Sequence, residues 1–233
     1  MPRRMLVFAA LALAGAALFI RLGFWQLDRL GQRRARNALL STRLAAPPAQ
    51  WSDTTAIPYR RVRLSGVPDY DREVVLVGRS RGGSPGVNLV TPLRLRGSDT
   101  AVLVNRGWVY SPDGSRVDHA RWREGDTLTI EGYVEAFTEP GPGDLPARQW
   151  LARRLSYRAV AARFPYPVAP VYVVAVDTSR AARPDAPTRA PRPTPDNGPH
   201  LGYALQWFGF ALIAVVGTGI AIATGRRQAK PDR

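Results

Sequence analysis

The residue with the most distinctive chemical setting is His200, in the stretch NGPHLGYALQWFGFALIAVVG at residues 197–217. It is one of only two histidines in the chain, and it stands where a long apolar run begins. A neutral imidazole is a common ligand for metal ions and for haem iron. His200 could be such a ligand, an interfacial anchor or an ordinary residue, and its position in the sequence leaves all three roles open.

Other reactive centres are absent from the sequence. The chain has no cysteine, which excludes disulfides, thiolate zinc sites and CxxC redox pairs. It contains no Walker, HExxH or GxGxxG motif. We interpret His119, in SRVDHARW, as a solvated or structural histidine, and we attribute the pairs Asp69/Asp71 and Glu124/Asp126 to surface solvation at turns. An enzyme is therefore not expected.

The positive charge of the chain comes almost entirely from arginine. The formal net charge is +15 over 233 residues, and Lys230 is the only lysine. Acidic residues are mixed among the arginines, and no block of five like charges occurs. Abundant Arg, Ala, Pro and Gly with little Lys is typical of a GC-rich genome. We therefore expect no nucleic-acid partner.

Residues 5–27, MLVFAALALAGAALFIRLGFWQL, form the first candidate transmembrane helix. Such a run is long enough to cross roughly 30 Å of hydrocarbon at about 1.5 Å per residue. Residues 14–16, AGA, could be the cleavage site of a secretory signal. Apolar residues continue beyond it as far as Trp25, which favours an uncleaved anchor. The polar run at 28–44 is predicted to extend the same helix out of the membrane.

Residues 200–224 form the second candidate transmembrane helix, followed at once by GRRQAK. The terminal segments 1–4 and 225–233 are both basic, so the positive-inside rule places both in the cytoplasm. Residues 28–199 then lie outside, in the periplasm or its equivalent. We expect a multi-pass protein of the bacterial plasma membrane, in contact with lipid.

The region between the two spans is predicted to be rich in β-strands. Short apolar or alternating runs are bounded by turn residues at 60–67, 72–79, 86–95, 101–110, 127–136 and 170–176. Their close spacing favours antiparallel pairing in a small sheet or partly closed barrel. We expect an α+β membrane protein, in which two transmembrane helices flank an external, mainly antiparallel β domain with one or two short helices.

Two segments of this external domain are predicted to differ from strands. A helix is expected at 148–164, with a break at Ser156 that could cap its second half. Residues 178–199 contain six prolines and are predicted to form a semi-extended tether back to the membrane.

Three stretches carry unusual residues for their positions: LGFWQLDR at 22–29, VNRGWV at 104–109 and HLGYALQWF at 200–208. The first and third place Trp25, Gln26, Tyr203, Gln206 and Trp207 near one membrane interface. Helical spacing puts Tyr203 and Trp207 on the same face as His200. In the strand VNRGWV, the glycine at position 107 predicts a bulge or a close backbone approach.

These stretches, PYRRVRLSG at 58–66 and the two-span layout resemble the surfeit locus protein 1 family, the Surf/Shy-type assembly factors of haem-copper cytochrome c oxidase. The resemblance covers most of the chain. The chain departs from the family in a longer Pro-rich segment, and Gly198 and Pro199 replace an asparagine-rich approach to the histidine. The resemblance implies a role in maturation of oxidase subunit I. Its implied partners are that subunit and haem a synthase.

The resemblance also implies haem a binding, with His200 as the tentative, transient ligand of the iron. Trp25, Tyr203 and Trp207 could then flank the macrocycle. An arginine could pair with the propionates, the candidates being Arg21, Arg29, Arg60, Arg61 and Arg106. Trp and Tyr at helix ends are also ordinary interfacial anchors, and Arg106 could equally have a structural role in the β domain.

Three functions are compatible with the sequence. The first is a haem a-binding assembly factor, and the second is a cofactor-free scaffold that stabilises an oxidase assembly intermediate. The third, a membrane-anchored periplasmic enzyme, lacks any catalytic constellation. A copper chaperone is disfavoured because it would need Cys, Met or several His as ligands.

Overall fold

The computed structural model describes residues 3–141, 150–178 and 184–228. The chain divides into two compact units. The helix unit consists of Met1–Ser41 and Pro195–Arg233, and the barrel unit consists of Thr42–Thr194.

Two long helices make up the helix unit. Helix α1 spans Arg3–Ala45 without interruption, so the predicted extension of the first apolar run is confirmed. Helix α3 spans His200–Gln228. Both helices are long and apolar enough to cross a membrane.

The two helices are antiparallel and pack through a seam of mainly small residues. An ideal Cβ on Gly225 would lie 2.7 Å from Cε of Met5 at one end, and Gln26 contacts His200 at the other. Buried residues recur at seven-residue intervals: Ala9, Ala16, Gly23 and Leu30 on α1, and Ala204, Ala211 and Thr218 on α3. A seven-residue period is that of two helices wound in a left-handed sense, and small side chains allow close backbone approach.

The barrel unit contains eight β-strands. They are β1 (Ala49–Gln50), β2 (Arg61–Pro68), β3 (Val74–Arg81), β4 (Ser84–Leu95), β5 (Ala101–Tyr110), β6 (Leu128–Ala136), β7 (Leu151–Ala152) and β8 (Val168–Ala175). The six longer strands correspond to the six predicted runs. The order in the sheet is β1-β2-β6-β8-β5-β4-β3-β7.

A further pairing between β2 and β4 closes five of these strands into a barrel. The sequence predicted a small sheet or a partly closed barrel, whereas the ring of five strands is closed. Pairing is mainly antiparallel, as predicted, but β8 lies parallel to β5. Closure removes the exposed edges of the ring, which would otherwise present unpaired backbone groups.

Alternation along the strands supplies the core of the barrel. In β2 every second residue is buried, as expected for a strand with one face toward a core. The largest buried cluster is built from the strands β2, β4, β5, β6 and β8, with the members Val62, Leu64, Leu93, Val102, Val104, Leu128, Ile130, Val134, Ala169, Val173 and Ala175.

The helix predicted at 148–164 was wrong over most of its length. Its first two residues lie outside the described part of the chain, Leu151–Ala152 form β7, and helix α2 covers only Tyr157–Ala161. Ser156 stands at the start of α2 as predicted, without a side-chain cap hydrogen bond. The edge of β3 decides the conformation at 150–152, because the N–H of Val75 donates to the carbonyl of Trp150 at 2.7 Å.

Of the predicted Pro-rich tether at 178–199, residues 179–183 lie outside the described part of the chain, and part of the described remainder lies along the barrel. We call residues 184–194 the strap. Thr188 exchanges two backbone hydrogen bonds with Trp108 of β5, and Ala190 donates to the carbonyl of Ala175. The strap is therefore part of the barrel unit rather than a free linker.

Candidate functional site

The conformation of His200 is determined by a side chain from the other long helix. His200 is the first residue of α3, and its Nδ1 lies 2.8 Å from Oε1 of Gln26 on α1. One heptad further into the pair, Phe19 stacks on Trp207 with ring centroids 5.6 Å apart. The Gln26–His200 pair therefore continues the same seam by one seven-residue step on each helix.

The second ring nitrogen of His200 is left available. Among the residues that the structure describes, none makes a hydrogen bond to Nε2. Gly198 has φ +65, and an ideal Cβ at that position would lie 3.6 Å from Nε2. Because glycine has no Cβ, the approach to Nε2 stays open on that side, and the left-handed backbone is unstrained.

Polar contacts hold the segment before His200 against α1. Nε of Arg33 donates to the carbonyl of Asp196 at 3.1 Å, and Nδ2 of Asn37 donates to Oδ1 of Asn197 at 3.1 Å. The N–H of Gly198 donates to Oδ1 of Asp196 at 2.9 Å. These contacts order the approach to His200 although the segment is mostly exposed.

The three aromatic residues predicted to surround His200 have different environments. Trp25 is 49% exposed and Tyr203 is 48% exposed. The guanidinium of Arg29 lies 5.6 Å from the centre of the Trp25 ring. Trp207 is half-buried and engaged with Phe19, so packing between the helices accounts for it directly.

Arg106, the other predicted site residue, belongs to a buried ionic network in the barrel unit. Its side chain is fully buried, and it pairs with Glu73 at 2.5 Å and Glu124 at 2.8 Å. Its Nε donates to the hydroxyl of Thr91 at 2.7 Å, and its Nη1 donates to the carbonyl of Trp122 at 2.6 Å. Of the two roles considered for Arg106, this geometry supports the structural one.

The contacts within the network favour the charged forms of Arg106 and Glu73 despite their burial. Burial alone would lower the pKa of Arg106, but its ion pairs and hydrogen bonds with Glu73 and Glu124 raise it above the ordinary value. Burial alone would raise the pKa of Glu73, but hydrogen bonds from His119 and Thr91 and the charge of Arg106 hold it below the ordinary value.

Gly107 has both of the backbone features that the sequence predicted. The register between β4 and β5 shifts beside it, so Arg106 is the extra residue of a β-bulge. Gly107 has φ +131, and an ideal Cβ there would lie 2.3 Å from the carbonyl oxygen of Thr188 in the strap. A bulge redirects the side chain of its extra residue, which accounts for the burial of an arginine in this strand.

His119 and Glu124 both contact the buried ionic network. His119 is structural: its Nδ1 lies 2.9 Å from Oε1 of Glu73, and its side chain is 44% exposed. Surface solvation was wrong for Glu124, whose side chain is 1% exposed and pairs with both Arg106 and Arg189 of the strap. The burial of Glu124 could not be predicted from its place next to a turn, because both of its partners come from other parts of the chain.

Sequence reasoning placed Gln26 near the interface without recognising it as the partner of His200. Residues 174 positions apart meet only when the two helices pair. A signal was present in the seven-residue spacing of small residues on both helices, which puts Gln26 and His200 on the paired faces.

The chain matches the SURF1 family over residues 13–212, which include both partners of the Gln26–His200 pair and the whole barrel unit. It belongs to the SURF1 family. SURF1 proteins are membrane-associated assembly factors of cytochrome c oxidase rather than enzymes.

Similarity to individual SURF1 relatives also extends over most of the chain. It is 26% identical to a SURF1-like protein of Rickettsia felis over 206 residues, covering 85% of this chain and 89% of the relative. It is 29% identical to a SURF1-like protein of Drosophila melanogaster over 215 residues, covering 80% of this chain and 68% of the relative.

Proposed function

We propose that this SURF1 family member binds haem a through Nε2 of His200 and assists delivery of the haem to subunit I of a haem-copper oxidase. The observation that carries the proposal is the state of the His200 ring. One nitrogen is engaged by Gln26, and the other has no hydrogen-bond partner among the described residues. An imidazole held in this way is suited to ligate iron.

The donor set around His200 fits a cargo haem better than a tightly held metal ion. The described residues contain no cluster of three metal-ligating side chains, and the whole chain has no cysteine. One imidazole supplies one axial ligand, which suits reversible holding by a carrier.

The helix unit also offers suitable surfaces for the rest of the haem. Trp25 and Tyr203 present exposed aromatic surface to an apolar macrocycle. Arg29 and Arg33 lie one and two turns beyond Gln26 along α1, and they are the arginines we assign to the propionates.

We propose that both long helices span the bacterial plasma membrane with both termini in the cytoplasm. Arginines precede the first apolar run and follow the second, as the positive-inside rule requires. The barrel unit is then periplasmic. The orientation is tested by fusing near Asp126 a reporter enzyme that functions only in the cytoplasm. We expect this fusion to be inactive, and an active fusion would contradict the orientation.

Haem binding is tested with full-length protein purified from a host that makes haem a. We expect the wild type to carry haem a in its visible spectrum and His200→Ala to lose most of it. His119→Ala is the matched control, since it removes the other histidine, in the barrel unit, and should retain the haem. A wild-type protein without haem would favour the alternative, a cofactor-free scaffold for an oxidase intermediate.

The role in assembly is tested in cells. Deleting the gene should lower the amount of assembled haem-copper oxidase while haem a synthesis continues. Subunit I and haem a synthase are the proposed partners, and each should co-purify with the tagged protein. Unchanged oxidase levels would contradict the proposed role.

A further inference from the structure

We infer that Gln26 is a positioning residue that holds His200 in the tautomer with the proton on Nδ1, so that the Nε2 lone pair faces outward as a ligand. The inference deepens the proposed function and rests on it. In this role Gln26 of α1 does not contact the haem, and it acts only through His200 of α3.

The hydrogen bond determines where the proton lies. Oε1 of Gln26 is 2.8 Å from Nδ1 of His200, and an amide oxygen can only accept a hydrogen bond. Nδ1 must therefore donate. A neutral imidazole carries one ring proton, so Nε2 has a free lone pair when Nδ1 is protonated. Histidines that bind metals commonly have the same arrangement, with the second nitrogen donating to a fixed acceptor.

Packing alone does not explain a glutamine at position 26. The side chain is only 8% exposed, and its neighbours along the buried stripe of α1 are Gly23 and Leu30. The equivalent position one heptad earlier holds Phe19, which packs on a ring. A buried carboxamide is unfavourable unless it is hydrogen-bonded, so its value here lies in the bond to His200.

Loss of the acceptor should weaken ligation without removing the ligand. Without a fixed partner the ring can adopt either tautomer and can rotate, and only some of these states offer Nε2. Removing a group that orients a metal-binding histidine typically lowers affinity about 10- to 100-fold. We expect Gln26→Leu, which keeps the size and the burial, to lower haem a affinity by about this factor.

Two further variants separate positioning from packing. Gln26→Glu keeps an acceptor oxygen of the same reach and should restore most of the affinity. Ser41→Leu is the matched control, because Ser41 lies on the same helix, is exposed and stands about two turns beyond the arginines assigned to the propionates. It should bind haem a as the wild type does.

The tautomer is measured directly in haem-free, full-length protein in detergent. In a His119→Gln background His200 is the only histidine, and its two ¹⁵N resonances at mildly alkaline pH show which ring nitrogen carries the proton. We expect Nδ1–H in the Gln26 protein and a mixture of tautomers in Gln26→Leu. A dominant Nε2–H form in the Gln26 protein would overturn the inference.

The two measurements distinguish failure of the inference from failure of the proposed function. If the wild type shows Nδ1–H but binds no haem a, the proposed function fails while Gln26 still sets the tautomer. If the wild type binds haem a and Gln26→Leu binds it equally well with an unchanged tautomer, the inference fails while the proposed function stands. Circular dichroism and gel filtration of each variant verify that the helix pair still folds.

Discussion

Replacing Arg106 by methionine should destabilise the barrel unit more than any surface substitution. The guanidinium is fully buried and forms the link between Glu73 and Glu124, whose side chains are each 1% exposed. Methionine has a similar length and no charge, so the substitution leaves two buried carboxylates without this cation. Arg189 still pairs with Glu124, and His119 still contacts Glu73, so the loss is partly compensated.

The size of the effect follows from the burial of the network. Removing one partner of a buried ion pair typically costs about 3–5 kcal/mol. For a domain of this size, each kcal/mol lowers the melting temperature by roughly 2–4 °C. We therefore expect Arg106→Met to lower the melting temperature of the barrel unit by about 6–20 °C.

Thermal unfolding of the full-length protein in detergent, followed by tryptophan fluorescence, measures this change. Arg63→Met is the matched control, because Arg63 pairs with Glu131 at 3.3 Å with 56% of its side chain exposed. An exposed ion pair contributes about 1 kcal/mol or less, so the control should lose only a few degrees. If Arg106→Met lost no more than the control, the carboxylates would have to be hydrated or protonated after the substitution, and the reasoning from burial would be refuted.

Three further predictions concern acid stability, the helix pair and the strap. The pKa of Glu73 is below its ordinary value of 4.5, so its contribution is full above that pH and is lost as the pH falls through the lower folded pKa. The difference in melting temperature between wild type and Glu73→Gln should accordingly narrow below pH 4.5, and a constant difference would contradict this. In the seam, Gly23→Leu would place a side chain on a phenylalanine ring of α3 that already lies 2.5 Å from an ideal Cβ, whereas Gly15 has no atom within 4 Å. Gly23→Leu, but not Gly15→Leu, should therefore reduce the yield of bismaleimide cross-linking between cysteines introduced at positions 37 and 197. Equal yields in the two variants would contradict packing of the two helices through the seam. In the barrel, Gly107→Ala should expose the strap to proteolysis because its Cβ would meet a strap carbonyl, whereas Gly114→Ala, with no atom within 4 Å, should not; equal cleavage would show that the strap is held without this close approach.

The six longer strands were predictable because each carries its own pattern of buried and exposed residues. The prediction at 101–110 has the same bounds as β5, and the others differ at their ends by only a few residues. The strands β1 and β7 were not predicted, since each has two residues and exists only by pairing with the edge of a longer strand. Closure through β2 and β4 likewise depends on the curvature of the whole sheet.

The candidate site was predictable in part for the same reason. His200 was identified by its residue type and by its place at the start of an apolar run, both of which are local properties. The role of Arg106 was left open because a bulge and partners from other segments decide it. The partnership of Gln26 with His200 was missed because a hydrogen bond between two helices is a property of neither helix alone.

The sequence by itself determined the two apolar helices, the alternating strands between them, the absence of thiol chemistry and the position of the one histidine that begins an apolar helix. These features depend on residue type and on short periods along the chain. Tertiary structure alone decided that the sheet closes, that Arg106 is buried between carboxylates, and that Oε1 of Gln26 lies 2.8 Å from Nδ1 of His200. The physical reason is range: hydropathy is a property of each residue and its near neighbours, whereas these particular contacts form only when distant parts of the chain are brought to within about 3 Å of one another.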